Sequence, residues 1–144
     1  MAEIRHLLHI NAPVDKVYEA LTTIDGLSNW WTKQTSGRTE VGGIIQFGFG
    51  GGLSTDMKVT GMKKNESVDW ECVAGFPDWV GTKIRFTLGT GDGKTKVLFE
   101  HYDWRESNEF FAGCSFSWGR YMESLRQLCQ TGKGESFGSD GYRK

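Results

Sequence analysis

The chain has 144 residues, enough for one domain with its own hydrophobic core and no stapling disulfides. Its 17 basic and 18 acidic residues give a net charge of -1 without any dense run of lysine or arginine, which excludes a nucleic-acid surface. No stretch reaches the roughly 18 apolar residues that span a bilayer and no secretion signal is evident, so we expect a cytoplasmic protein. The three cysteines lack close spacing, which predicts free thiols, no metal site and no cofactor.

The first predicted elements are one strand and two short helices. Apolar and polar residues alternate over Glu3–Ile10, which predicts a strand. Asn11 offers a capping side chain and the proline two residues later suits a first helical turn, so a helix is predicted over Pro13–Leu21. A second short helix is predicted over Gly26–Trp31.

Five further strands follow, separated by turns that contain glycine or asparagine. They are predicted at Gly43–Phe49, Met57–Met62, Val68–Val73, Thr82–Leu88 and Lys94–Tyr102. Each strand places apolar, often aromatic, side chains on one face and mostly polar ones on the other. A single antiparallel sheet with one apolar face is therefore expected.

The last regular element is a long amphipathic helix, predicted over Ser107–Cys129. Its apolar residues recur at helical spacing, and they are Phe111, Cys114, Trp118, Tyr121, Met122, Leu125 and Leu128. A stripe of this size must pack on an equally apolar surface, so the predicted fold class is α+β, with a curved antiparallel sheet around the helix. Residues 132–144 are glycine-rich and polar, which predicts a disordered tail after a single domain of residues 1–131.

Several motifs occur in an order and spacing that resemble one protein family. They are Ala12-Pro13-Val14-Asp15-Lys16-Val17-Tyr18-Glu19-Ala20-Leu21-Thr22 with Asn29-Trp30-Trp31, then Val68-Asp69-Trp70-Glu71, then Glu100-His101, and finally Ser117-Trp118-Gly119-Arg120-Tyr121-Met122-Glu123-Ser124-Leu125. The chain resembles the homologues of the activator of the heat-shock chaperone ATPase, which belong to the START-like (SRPBCC) superfamily. The resemblance implies a helix-grip fold, in which sheet and terminal helix enclose a cavity for a lipid, sterol or polyketide-like molecule.

The expected ligand site lies between the apolar face of the sheet and the long helix. Its candidate residues are Trp30, Phe47, Trp70, Phe86, Phe99, His101, Trp118, Tyr121 and Met122. Further candidate rings are Phe49 and, as an alternative to Trp30, Trp31 opposite the helix, and Phe110, Phe111 and Phe116 on the helix. Most of them would form an apolar lining, while His101 and Tyr121 would anchor a polar end of the ligand. The alternative is that these rings fill a solid core.

Three functions remain open at this stage. The favoured one is a binding module for a small hydrophobic molecule, acting without catalysis as a monomer or a weak dimer. The second, implied by the resemblance, is a protein-interaction domain like the co-chaperone, with a chaperone as its partner. The third is an enzyme of the cyclase or dehydratase kind, which would need His101 as its acid or base.

Overall fold

The structure is a computed structural model that describes residues 2–142. Its strands are β1 Ala2–Ile10, β2 Gln34–Gly37, β3 Ile44–Gly48, β4 Ser54–Lys63, β5 Ser67–Ala74, β6 Lys83–Gly91 and β7 Lys94–Trp104. They form one seven-stranded sheet in the order β1-β7-β6-β5-β4-β3-β2. Every neighbouring pair is antiparallel, as the alternation pattern predicts.

Three helices complete the fold: α1 Val14–Thr22, α2 Ile24–Trp30 and α3 Glu109–Thr131. The long helix α3 packs on the apolar face of the sheet, which confirms the predicted α+β helix-grip fold. It begins after Asn108, whose side-chain oxygen accepts a hydrogen bond from the backbone N–H of Phe111 at 3.0 Å. It ends at Gly132, whose φ of 87° is the left-handed conformation that glycine adopts readily.

Two local predictions differ from the structure for identifiable reasons. Asn11 does not cap α1, because Pro13 occupies the cap position and the Asn11 backbone N–H donates instead to Gln130 Oε1 at 2.7 Å. The sequence pattern does not predict β2, because its four residues carry no apolar alternation. That strand lies at the sheet edge, and pairing with β3 holds it there.

Aromatic rings fill much of the space between sheet and helix. All six tryptophans are at most 5% exposed, so none remains on the surface. Trp31 lies at the centre of this cluster, with its ring centroid 4.1 Å from that of Phe47 and 4.8 Å from that of Trp118. It also stacks on Trp70 at 6.1 Å with nearly parallel planes. Such offset and edge contacts add to the stabilisation that comes from area burial alone.

Residues 132–142, for which composition predicts a disordered tail, make backbone hydrogen bonds with the domain in this structure. The Phe137 N–H donates to the Trp31 carbonyl at 2.8 Å, and the Phe137 carbonyl accepts from the Lys33 N–H at 2.9 Å. Backbone pairing of this kind leaves no trace in composition, which explains why a glycine-rich, polar segment reads as disordered. We call residues 132–142 the C-terminal strap; the rest of the predicted tail, residues 143–144, lies outside the described residues.

Across residues 2–142, no helix combines the length and the apolar character that crossing a bilayer requires.

Candidate ligand pocket

An apolar pocket lies between the N-terminal half of α3 and the loops that follow β3 and β5. Its volume is about 150 Å³, and seven of its nine lining side chains are aromatic. The lining residues are Trp31, Phe49, Phe76, Trp79, Phe110, Cys114, Ser117, Trp118 and Tyr121. A second cavity of about 140 Å³ lies under the other end of α3, but its lining includes Lys16, Glu19 and Asp25. The aromatic pocket is therefore the better candidate for an apolar ligand.

The β5–β6 loop supplies Phe76 and Trp79 to the pocket wall. The Trp79 N–H donates to the Phe76 carbonyl at 2.9 Å, and the Thr82 hydroxyl donates to the Trp79 carbonyl at 2.6 Å. The Arg105 guanidinium donates to two further carbonyls of the same loop, at 2.6 and 2.8 Å. These bonds hold Trp79 against Trp118, with the two rings stacked at 5.9 Å and an interplanar angle of 17°.

His101 is fully buried beside the pocket, and both of its ring nitrogens are engaged. Trp118 Nε1–H donates to His101 Nδ1 at 3.1 Å, and His101 Nε2 lies 2.8 Å from Thr82 Oγ1. Because the Thr82 hydroxyl gives its own proton to the Trp79 carbonyl, it accepts from Nε2–H. These bonds select the neutral Nε2–H tautomer, and burial lowers the pKa of His101 to about 3. No ring nitrogen is left free to serve as a general base on a ligand.

The predicted site residues divide between the pocket and the core. Trp118 and Tyr121 line the pocket. The other seven do not line it and are at most 2% exposed, and they are Trp30, Phe47, Trp70, Phe86, Phe99, His101 and Met122. Their rings pack on one another, as in the pair Trp70 and Phe86, whose centroids are 5.2 Å apart. Strand alternation thus identifies the interior correctly but does not distinguish packed core from pocket.

Phe49 and Trp31, predicted as further rings of the site, also line the pocket. Four lining residues fall outside the prediction, and they are Phe76, Trp79, Cys114 and Ser117. Two of them lie in the run Gly75-Phe76-Pro77-Asp78-Trp79, which has no regular strand or helix pattern. Large aromatic side chains in an irregular segment are the signal that could have found this wall, because a loop otherwise keeps such rings in water.

Phe116 lies on the opposite side of α3 from the pocket, although the sequence predicts it among the aromatic rings of the ligand site. It is 71% exposed. The reason is helical geometry, since two residues span about 200° around the axis and so place Phe116 opposite Trp118. Phe116 instead borders a shallow groove whose lining includes His6, Ala112 and Gly119, between α3 and the edge strand β1.

The pocket lining is uncharged at neutral pH. Burial raises the pKa of the Cys114 thiol. Burial, followed by a hydrogen bond with Tyr142, raises the pKa of the Tyr121 hydroxyl. Among residues 2–142, no group of three or more histidine, cysteine, aspartate or glutamate side chains is placed to hold a metal ion. A neutral, largely apolar ligand is what such a lining accommodates.

A curved antiparallel sheet that grips a terminal helix, with an apolar pocket between them, defines a START-like helix-grip domain. Residues 11–130 match the family described as Activator of Hsp90 ATPase homolog 1-like protein. The chain belongs to this family, which confirms the resemblance in its motifs.

Solved structures are similar to this chain over most of its length. The solution structure of the Aha1 dimer from Colwellia psychrerythraea is 41% identical with a TM-score of 0.85, covering 93% of this chain and 100% of that one. Protein MLL2253 from Mesorhizobium loti is 21% identical with a TM-score of 0.78, covering 88% and 96%. CalU16 from Micromonospora echinospora is 16% identical with a TM-score of 0.73, covering 88% and 73%. The last two show the shared fold alone, and a search of curated proteins found no match.

Proposed function

We propose that this domain binds a small, neutral, planar molecule of about one aromatic ring in the pocket beside α3. The observation that carries the proposal is the lining itself, in which seven of nine side chains are aromatic around about 150 Å³. Pockets for drug-sized ligands measure about 300–1,000 Å³. An engineered cavity of about 150 Å³ in another protein holds benzene. A sterol or a fatty acid is therefore too large for this pocket, whereas a single ring fits.

The polar atoms of the lining favour a ring with one small polar substituent. Cys114, Ser117 and Tyr121 are the non-aromatic or hydroxyl-bearing members of the lining. Ser117 is an exposed residue of the lining, so it lies on the open side of the pocket. A phenol such as p-cresol combines a ring for the tryptophan walls with one hydroxyl for these groups, and it carries no charge that would have to be desolvated.

The direct test is an NMR titration of labelled protein with p-cresol, read at the tryptophan indole signals. Saturable shifts are expected at Trp31, Trp79 and Trp118, which line the pocket. The internal reference is Trp30, whose Nε1–H donates to the Ala20 carbonyl at 2.9 Å outside the pocket. Equal shifts at Trp30, or no saturable shift at any of these indoles, would argue against the proposal.

A pair of variants on one helix separates pocket binding from effects on the fold. Ser117→Phe places a new ring in the pocket and is expected to weaken p-cresol binding at least tenfold. Ala112→Phe adds the same ring to the same helix, but on the side of the groove. It is expected to leave p-cresol affinity within twofold, and equal losses in both variants would contradict the assigned pocket.

The groove supports a second candidate function, self-association through α3 and β1. Phe116 protrudes at 71% exposure beside the small residues Ala112 and Gly119. A two-fold pairing would place Phe116 of one copy on the small residues of the other, since such an interface uses the same patch twice. The 41% identical structure from Colwellia psychrerythraea is a dimer, which favours a second copy as the occupant.

Sedimentation velocity tests this second candidate with the same two variants, but here Ala112→Phe is the test and Ser117→Phe is the control. Ala112→Phe is expected to fill the groove and abolish concentration-dependent association, whereas Ser117→Phe should associate as the unmodified chain does. Unchanged association in Ala112→Phe would contradict a dimer through this groove. If that variant instead loses binding to purified Hsp90, the groove is a chaperone surface, which is the partner that the family name suggests.

A further inference from the structure

The C-terminal strap lies outside the part of the chain that matches the family, because that match ends at residue 130. Its backbone is nevertheless anchored to the domain between Glu135 and Phe137. Besides the two bonds of Phe137 with Trp31 and Lys33, the Glu135 N–H donates to Ser124 Oγ on α3 at 2.7 Å. The strap therefore joins α3 to the segment between α2 and β2, and that segment contains the pocket residue Trp31.

The two aromatic side chains of the strap pack on two walls of the pocket. Phe137 meets Phe49 edge-on at 5.7 Å, and Tyr142 stacks on Tyr121 at 6.5 Å. Phe137 and Tyr142 also contact one another at 5.3 Å, so they form one unit behind the two wall residues. Phe49 and Tyr121 both line the pocket. The strap thus supports the pocket from its outer side.

The Phe49 wall is held by a backbone hydrogen bond, from the Phe49 N–H to the Leu53 carbonyl at 2.8 Å, and by the packing of its ring. Phe49 lies just beyond the end of β3 and directly before Gly50-Gly51-Gly52. All three glycines have positive φ, at 78°, 60° and 80°. A run of glycines has the greatest conformational freedom of any sequence. Phe49 itself is held at the base of this hairpin by its bond to Leu53, and its ring packs against those of Trp31, Phe76 and Phe137.

We propose that the C-terminal strap sets the width of the pocket, with Phe137 and Tyr142 as positioning residues that hold Phe49 and Tyr121 inward. With the strap seated, the space between these walls admits one aromatic ring. With the strap released, Phe49 and Tyr121 lose their outer packing partners and the pocket admits a two-ring molecule. This inference rests on the proposed function, since it concerns the size of the ligand that the same pocket takes.

Two glycines of the strap provide matched variants. A Cβ on Gly134 would lie 2.3 Å from the backbone oxygen of Asn29, a contact that only a shift of the strap can relieve. A Cβ on Gly141 would approach nothing closer than the flexible Glu135 side chain, at 3.6 Å. Gly134→Ala is therefore expected to release the strap and Gly141→Ala to leave it in place. Phe137→Ala removes the support directly and needs no release.

The experiment measures the affinities of p-cresol and 2-naphthol for the full chain and these three variants. Amide exchange of Phe137 reports strap seating, because that N–H donates to the Trp31 carbonyl. We expect Gly134→Ala and Phe137→Ala to bind 2-naphthol at least tenfold more tightly than the unmodified chain. Gly141→Ala should bind it within twofold of the unmodified chain.

The outcomes separate this inference from the proposed function. If p-cresol binds the unmodified chain but 2-naphthol affinity is unchanged in both Gly134→Ala and Phe137→Ala, the strap does not set the pocket width and the inference is overturned. If neither probe binds any of the four proteins, the proposed function itself is wrong and the inference falls with it. Tighter 2-naphthol binding in Gly134→Ala and Phe137→Ala, but not in Gly141→Ala, supports both.

Discussion

The indole of Trp118 donates a hydrogen bond to Nδ1 of His101 at 3.1 Å, in a part of the core where both side chains are at most 2% exposed. The bond joins α3 to β7 and supplies a partner for a nitrogen that burial has removed from water. It also connects the pocket to the core, because Trp118 lines the pocket and His101 lies behind it. The loss of either partner leaves a buried polar group unpaired, which costs about 1–3 kcal/mol.

The pH dependence of stability follows from the neutral state of His101. Its pKa is about 3 in the folded protein, against about 6.5 for an unperturbed histidine in the unfolded chain. Between these values the unfolded chain binds a proton that the folded protein does not. The stability that depends on a neutral His101 is therefore fully present above pH 6.5, and it is lost as the pH falls toward 3. From pH 7 to pH 5, this histidine alone should lower the free energy of unfolding by about 2 kcal/mol.

Urea unfolding at pH 7 and pH 5 measures this loss. The variant His101→Gln has no titratable group at this position and should lose about 2 kcal/mol less over the same pH interval than the unmodified chain. His9→Gln serves as the control because His9 is an exposed histidine on β1, and it should retain the full loss. A His101→Gln variant with unchanged pH dependence would show that His101 is not the group responsible.

Replacing Trp118 by phenylalanine should destabilise the fold without altering its architecture. The change removes the donor to His101 and leaves a gap beside Phe99, whose ring centroid lies 4.5 Å from that of Trp118. We expect a loss of about 3 kcal/mol in the free energy of unfolding by denaturant. Phe116→Leu on the exposed side of the same helix should change it by less than about 0.5 kcal/mol. Similar losses in both variants would be incompatible with the buried bond as the cause.

Replacement by alanine should have opposite effects on stability at Gly26 and at Gly113. A Cβ on Gly26 would lie 2.6 Å from the Cα of Ala20, where α1 and α2 pack closely, so Gly26→Ala should cost about 1–3 kcal/mol. A Cβ on Gly113 in α3 would meet nothing within 4 Å, so Gly113→Ala should gain about 0.5–1 kcal/mol through helix propensity. Thermal unfolding of the two variants checks both signs, and a stabilised Gly26→Ala would contradict the close packing of these helices.

Ser136 carries a buried hydroxyl oxygen without a hydrogen-bond partner among the described residues. Removing an unsatisfied buried polar group relieves its desolvation cost, so Ser136→Ala should seat the strap more firmly by about 1 kcal/mol. The neighbouring Ser139 hydroxyl donates to the Ser136 carbonyl at 2.6 Å. Ser139→Ala removes this bond and should therefore seat the strap less firmly. Amide exchange at Phe137 measures both effects. Faster exchange in Ser136→Ala would mean that the hydroxyl has a partner in solution.

Much of the fold can be predicted from local patterns in the sequence. The period-two alternation of residues such as Trp70 and Phe99 identifies the inner face of the sheet, and the helical spacing of Trp118, Met122 and Leu125 identifies the face of α3 that meets it. These patterns are visible in sequence because each depends on residues two to four positions apart. Together with the family motifs, they were sufficient to predict the helix-grip fold.

The location of the pocket was decided by tertiary structure alone. Phe76 and Trp79 come from an irregular loop, and they meet Phe110 and Trp118 of α3 only after the sheet has closed around the helix. The same holds for the strap, where Phe137 reaches Trp31 through backbone hydrogen bonds that any sequence can make. Burial of a ring is a local consequence of periodicity. Whether that ring packs solidly or borders a cavity depends on distant segments that share its volume, and no local pattern records this.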